Sequence, residues 1–532
     1  MASSTTNTSA GGMKATLGLT GVTVNAMALI APGAFLWLTF QIQAAQSVHG
    51  VSTAQDMVPG LLAALLLAFL TAYSYSQLAN LFPEAGTGSS YYFAEAALLN
   101  REEGEHYRFA RLAKFIVGWT SHLYYWVYPG LMVGVFSTLI QYIASRFGFS
   151  FATQPWFAYA VAIIMAVGVG SIAYRGITGS TATAIGINVI QIISLATLSC
   201  MAIAYRLAHA SGITYDHPTA LSVITPHSLT NVLFQSTIAI LLLVGFESIT
   251  ALGAETKNAK RNIPRGILLS LVIQGLICYV FEYFAANYFM GSQYQIVTGT
   301  GKNAVIHKGL DAAAQSLAPI GDMANIIGNW LGHFGFALTI IIGLTVAIAI
   351  IGTTLSCLNT GVRVTYAMGR DREIPSFFGL MHRQYAVPHT GIIVLTSLSA
   401  LVGIYCSTGF GPFASVDTLT QVTLVSNIGT FLLYGMTCLI ALFAFRRETA
   451  ADYHPIKHRL IPFLGLVANL AMLVAVVYLS IISGGSTATD AQIAIGAVVV
   501  FMLAGMAVLF VTSRQQKRSV LLKERPAYLG SR

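Results

Sequence analysis

Long stretches of this chain are apolar for about twenty residues at a time, and nothing else in it constrains the fold so strongly. The hydrocarbon core of a bilayer is about 30 Å thick, and an α-helix needs about 20 apolar residues to cross it. Twelve such stretches are read, at 19–46, 57–81, 111–141, 156–175, 178–207, 229–255, 265–290, 334–369, 388–408, 418–445, 461–483 and 490–513. The chain is 55% hydrophobic and 9% charged. A soluble domain carries about 25% charged residues and could not cover this much apolar surface. Membrane barrels use alternating strands of about ten residues, not continuous apolar runs. The expected class is an all-α polytopic membrane protein of about twelve transmembrane helices, with the lipid bilayer as its partner.

The basic residues orient it. With the N-terminus inside, 24 of the 28 Lys and Arg fall on the cytoplasmic side, and only Arg146, Arg206, Lys302 and Lys308 fall outside. This asymmetry predicts both termini in the cytoplasm of a multi-pass cell-membrane protein. The net charge of +9 is thus a topology signal and no nucleic-acid footprint. Residues 1–20 hold one basic residue, Lys14, and no short apolar core with a cleavage site, so the first span is expected to be an uncleaved insertion signal. Cys200, Cys278, Cys357, Cys406 and Cys438 lie in apolar runs without metal-ligand spacing and read as small core residues.

The expected organisation is a tail at 1–18, five helices within 19–207, an outer loop at 208–228, five more helices within 229–445, two further helices within 446–513 and a basic tail at 514–532. Residues 82–110 form a loop with a surface helix. Residues 291–333 form a long outer segment whose part "GLDAAAQSLAPIGDMANIIGNWLG" has helical periodicity but is too polar to span; a lid and a plain linker both fit it.

Two spans are interrupted. "NAMALIAPGAFLWLTF" sets Pro32 and Gly33 at the centre of the first, where proline removes a backbone donor. "LFQSTIAILLLVGFESITALGAE" sets Glu247 after Gly245 and Phe246 in the sixth. An acid at a helix centre costs about 2.5–3.5 kcal/mol on insertion scales, so it should face a cavity, a partner or a pathway. Each interruption opens a set of five helices, and five is odd, so the second set enters from the opposite face. Paired interruptions in two inverted halves point to a transporter site at the midplane. The expected non-helical stretches are Ile30–Ala34 and Val244–Ser248, facing each other.

"YSQLANLFPEAGTGSSYYFAEA", "GFESITALGAETKNAKRNIPRG" and "CLNTGVRVTYAMGRDREIP" resemble the amino acid–polyamine–organocation superfamily over about residues 18–513. "IAPGAF" is less glycine-rich than the usual first-span pattern. The resemblance implies a leucine-transporter-like five-plus-five inverted repeat with two extra helices, and secondary transport by alternating access. It implies that a substrate carboxylate meets backbone N–H groups near Ala31, Gly33 and Ala34, and that an ammonium meets carbonyls near the first break and Val244, Gly245 and Phe246. It implies proton coupling at Glu247. The fifth-helix lysine of some members is absent; Asn188 and Gln191 stand in that span. The proton is the expected coupling ion, and sodium is the less favoured one.

In "WTSHLYYWVYPG", Tyr124 and Tyr128 share a helical face and read as an aromatic wall or as packing. Thr354, with Thr353, Ser356, Cys357 and Asn359, reads as cavity lining, a cation site or helix packing. Glu282 reads as interfacial, and His122 as a hydrogen-bonded packing residue. No motif asks for a cofactor or a metal, no enzyme signature appears, and no filter-like loop marks a channel. Few intramembrane charges favour a neutral amino acid as substrate. A cationic amine or polyamine, or an amino acid exchanger, is the alternative; a solute sensor is the rival of another class.

Overall fold

The computed structural model describes residues 16–30, 32–83, 88–99, 105–176, 181–209, 220–291, 293–299, 301–408, 416–445 and 453–523. Helices α1 (Leu19–Ile30) and α2 (Pro32–Ala45) occupy the first apolar stretch, followed by a small hairpin, β1 (Ser47–Val48) with β2 (Val51–Ser52), and by α3 (Met57–Leu81). Then come α4 (Ser90–Leu99), α5 (Ala110–Tyr125), α6 (Tyr128–Arg146), α7 (Pro155–Tyr174), α8 (Thr181–Ala208) and the short α9 (Ala220–Ile224). The sixth stretch is α10 (Leu229–Ala239), a tightened turn Ile240–Leu242 and, beyond a bend, a 3-10 helix Phe246–Glu255. Helix α11 (Ala259–Gly291) leads to the hairpin β3 (Gln295–Thr298) with β4 (Val305–Lys308), antiparallel with Gln295 opposite Lys308. The rest is α12 (Gly309–Gln315), α13 (Pro319–Gly332), α14 (Gly335–Arg370), α15 (His389–Thr408), α16 (Val416–Ala444), α17 (Ile461–Ile482) and α18 (Gly485–Gln515).

Among the described residues ten helices are long and apolar enough to cross a membrane, and the bent pair Leu229–Leu242 and Phe246–Gly253 makes an eleventh. The twelfth expected span corresponds to α1 and α2, which flank residue 31. The third stretch departs from its expected continuity: a turn at Trp126 and Val127 separates α5 from α6. Pro129 has no N–H to offer the Tyr125 carbonyl one turn back, which accounts for the interruption. Helix α4 is no bare surface helix, because Tyr91, Phe93, Ala94 and Ala97 are buried. The segment 309–332 forms the two helices α12 and α13, parted at residues 316–318, and Gly321 on α13 lies so close to Trp37 of α2 and Tyr142 of α6 that an added Cβ would stand 2.7 and 2.8 Å from their rings.

Small residues let helices approach. A Cβ on Gly130 or Gly134 of α6 would fall 2.4 Å from Val402 or Cys406 of α15, so this pair packs at backbone range. Conversely, α17 and α18 expose Leu470, Val474, Ile481, Val500, Leu503 and Phe510, an apolar surface suited to lipid. Of the cysteines, four are buried as expected, whereas Cys200 is exposed on α8.

The face carrying both described chain ends is closed by charge. Residues 16 and 17 donate to the Glu255 carbonyl, each at 2.9 Å. Arg111 grips buried Glu373 through Nε and Nη2, while Lys114 reaches Glu95 and Asp371, both at 2.6 Å. Tyr91 donates to the same Asp371 at 3.1 Å. Burial, and next the Asp371 carboxylate, push its phenol well above the ordinary tyrosine range, so it stays a donor. The tail folds back over these groups: Gln516 donates to the Arg372 carbonyl at 2.5 Å, Arg111 to the Ser519 carbonyl at 2.5 Å and the Leu522 amide to the Arg108 carbonyl at 3.0 Å.

Candidate substrate site at two facing helix interruptions

Pro32 cannot donate to the Ala28 carbonyl, so this oxygen lacks its helix partner. Thr353 Oγ1 on α14 donates to it instead, at 2.9 Å. The neighbouring Met27 carbonyl accepts from Gln274 Nε2 of α11 at 3.1 Å, and the same amide nitrogen also reaches Asn188 Oδ1 of α8 at 2.9 Å. The Gly33 N–H donates to Gln191 Oε1 at 3.3 Å. Polar side chains of three surrounding helices thus serve backbone groups of the first span, as broken membrane helices require. The backbone is helical up to Ile30 and again from Pro32, so the expected non-helical stretch Ile30–Ala34 is not seen at Ile30 or at Pro32–Ala34. Ala31 lies outside the described residues, and Ala34 sits in the first turn of α2.

The second interruption is shorter than expected and differs in kind. Helix α10 tightens at Ile240–Leu242, turns through 243–245, and resumes at Phe246 as a 3-10 helix bent by 42° from its first half. Gly245 makes the turn at φ +125, a conformation that side chains disfavour. Space demands glycine as well: a Cβ there would lie 2.9 Å from Leu29 Cγ and 3.0 Å from the Ile30 nitrogen. The turn of the sixth span therefore packs on the last turn of α1.

Glu247 is fully buried beside this turn. Its carboxylate accepts three donors: the Tyr434 hydroxyl at 2.8 Å, the Gly245 N–H at 3.0 Å and the Tyr125 hydroxyl at 3.2 Å. Ser248 Oγ donates to the Gly245 carbonyl at 2.7 Å, so the turn is tied at both its polar groups. Aromatic rings surround it. Tyr75 packs edge-on against Phe246 and Tyr434, with centroids 6.0 and 5.9 Å apart, and Tyr124 lies 5.0 Å from Tyr128.

Of the residues singled out from sequence, Val244, Gly245, Phe246, Glu247, Tyr124 and Tyr128 are all buried in this region. Thr354 gives its hydroxyl to the Ile350 carbonyl of its own helix, and its neighbour Thr353 makes the contact across to α1. Tyr125, passed over for Tyr124 and Tyr128, is the tyrosine of that trio which reaches Glu247. Tyr434, Tyr75 and Gln274 were also missed. Gln274 carried a signal, since a lone amide within an apolar run needs a partner; the tyrosines carried none. His122 behaves as expected, with hydrogen bonds from its ring to the Gly118 carbonyl and Thr365 Oγ1 at 2.7 and 3.0 Å.

A many-spanning helical bundle in which the bend of the sixth span packs on the first, with backbone groups served by side chains and an acid at the turn, has the features of a membrane carrier of small molecules. The amino acid permease family matches residues 15–504, and the chain belongs to it, within the amino acid–polyamine–organocation superfamily. Relatives are distant. The methylthioribose transporter of Bacillus subtilis is 23% identical, over 74% of this chain and 76% of its own length. The low-affinity putrescine importer PlaP of Escherichia coli is 24% identical, over 75% and 76%. The branched-chain amino acid permease BcaP of Lactococcus lactis is 23% identical, over 80% and 83%. The chain is a permease and not an enzyme.

Proposed function

We propose that this permease carries a neutral amino acid across the cell membrane by alternating access, using two inverted five-helix repeats, 19–207 and 229–445, with both termini in the cytoplasm. The observation that carries the reading is the apposition of Gly245 to Leu29 and Ile30, which brings the polar backbone of both spans to one place. The substrate carboxylate replaces Gln191 Oε1 on the Gly33 N–H, with Ala31 and Ala34 as neighbours, and the ammonium meets carbonyls beside Val244, Gly245 and Phe246. Tyr124 and Tyr128 wall the side chain, with Thr354 on the flank.

Glu247 supports a zwitterion over a diamine, because its oxygens already take three donors and leave little to offer a second ammonium. A cationic amine is the second reading, supported by the tyrosines around that carboxylate and by a putrescine importer among the relatives. Glu247 is also the proposed coupling group: a proton on it would displace one of its three donors and loosen the turn it ties.

Uptake into proteoliposomes tests this. Saturable, counterflow-competent flux of a neutral amino acid is expected, and Glu247→Gln should keep counterflow yet lose pH-driven accumulation. Ligand binding without flux would recast the protein as a sensor, and unchanged accumulation in Glu247→Gln would remove the coupling role.

A further inference from the structure

A second fully buried acid, Glu282 on α11, stands apart from the site above. Helix α11 starts beside the chain-end face, where the Lys257 amide bonds the Leu17 carbonyl, and rises past the interruptions at Gly275, whose Cβ position abuts Leu65 and Leu243. Glu282 follows seven residues later, about 10 Å further along the axis, towards the far face. There it meets α2. Gln43 Nε2 donates to Glu282 Oε1 at 3.2 Å and approaches the Met57 carbonyl at 3.5 Å. Gln235 of α10 joins the same cluster, its Nε2 donating to the Gln43 carbonyl and to Thr53 Oγ1, both at 2.8 Å.

This cluster has acceptors left over. Glu282 Oε2, Gln43 Oε1 and Gln235 Oε1 are buried without a hydrogen-bond partner among the described residues. An ionised Glu282 would have one neutral amide for company, whereas Glu247 has three donors. No ion pair reaches it among the described residues. The titratable groups on packed elements are otherwise engaged or uncharged. Asp56 before α3 is held through Oδ1 by the His227 backbone amide and imidazole, its Oδ2 being buried without a partner among the described residues, Arg206 of α8 by the Gly291 carbonyl and Asn287, and Asp311 of α12 by His307. Cys278 lies one turn away on α11, its thiol on the Leu242 carbonyl, and Tyr288 is a neutral phenol; Glu247 lies beyond the interruption with its own donors.

We propose that Glu282 and Gln43 form a proton-binding site, in which Glu282 Oε2 takes a proton from water and the neutral acid pairs with the amide. One proton removes the buried charge and turns an orphaned acceptor into a donor beside Gln43 Oε1, an orphaned acceptor on the amide already in contact. A metal cation fits less well, because the Gln43 N–H occupies the Oε1 side of the carboxylate. The site joins α2, the second half of the interrupted first span, to α11, so its occupancy governs how tightly that half-helix is held. Although its use in transport rests on the permease reading, the protonation itself does not.

Infrared spectroscopy of the purified full chain in lipid nanodiscs, with ¹³C-labelled glutamate, separates the two. At neutral pH the wild type should show a protonated-carboxyl band that is lost in alkali. The band should vanish in Glu282→Gln and persist in Glu247→Gln, with no change on adding sodium at fixed pH. Should Glu282→Gln not fold, Gln43→Leu serves: its band should shift as the amide partner is lost. A band that survives in Glu282→Gln, is missing from the wild type at neutral pH, disappears with sodium, or stays in place in Gln43→Leu overturns the assignment, whatever flux assays report.

Discussion

Thr353 and Pro32 should be energetically coupled although neither touches the other's chemistry directly. Proline at 32 deprives the Ala28 carbonyl of its helix donor, and Thr353 Oγ1 replaces it at 2.9 Å. Thr353→Val keeps the side-chain shape and strands that buried oxygen. Leaving a buried acceptor unmet costs about 1–3 kcal/mol in general, and measured hydrogen-bond couplings between membrane helices reach at most about 1.7 kcal/mol. A loss of about 1–1.7 kcal/mol is expected, roughly a 5- to 16-fold shift in the unfolding equilibrium. In a Pro32→Ala background the new N–H reaches Ala28 from within the helix, so the same Thr353→Val change should cost only a few tenths. Equilibrium unfolding of the four proteins in bicelles gives the coupling directly. Independent sites add to within about 0.3–0.5 kcal/mol, so a coupling below that refutes the idea that Thr353 stands in for the missing helix bond.

Gly245→Ala meets both a disfavoured φ of +125 and contacts of 2.9–3.0 Å with Leu29 and Ile30; about 2–5 kcal/mol should be lost, and a wild-type melting temperature would contradict this. Gly33→Leu should abolish stabilisation by substrate in a thermal-shift assay while leaving the fold intact, whereas Gly33→Ala should be tolerated because only the flexible end of Gln191, 3.2 Å away, must move. Arg111→Met strands the buried Glu373 carboxylate and should cost about 3–5 kcal/mol; adding Glu373→Gln should recover much of the melting temperature, and no recovery would argue that the pair's charge is immaterial.

Eleven of the twelve apolar stretches correspond to span candidates among the described residues, because bilayer thickness imposes a length that no tertiary contact overrides. The bend of the sixth span was legible at Gly245, whereas the backbone around Pro32 is helical on both sides of residue 31, so its proline shows only in the Ala28 carbonyl it leaves unserved. What pairs with their freed groups was not: Thr353 and Thr354 are chemically alike, and only the rotation of α14 decides which hydroxyl faces α1. The contact that Tyr125 makes was hidden similarly. Counting four residues along a helix finds the shared face of Tyr124 and Tyr128, whose rings lie 5.0 Å apart, but it gives no sign that the neighbouring Tyr125 reaches Glu247. Tyr434, almost two hundred residues beyond Glu247, gave no local sign of its destination.

The folded-back tail gives the chain-end face an unusual kind of seam. Its stitches from Gln516, Arg518 and Thr512 end on the main-chain carbonyls of Arg372, Asp371 and Glu373, and the Leu522 amide ends on that of Arg108. Carbonyls are the same whatever residue bears them, so the seam tolerates sequence change in the segments it binds but not displacement between them. Any motion that draws the start of α5 away from the end of α14 must break either the bonds to 371–373 or those that tie the tail to Arg108 and Arg111. The last residues of the described chain therefore report the spacing of two helices far upstream, and a fluorophore attached near Lys523 would sit at the α5 end of that seam.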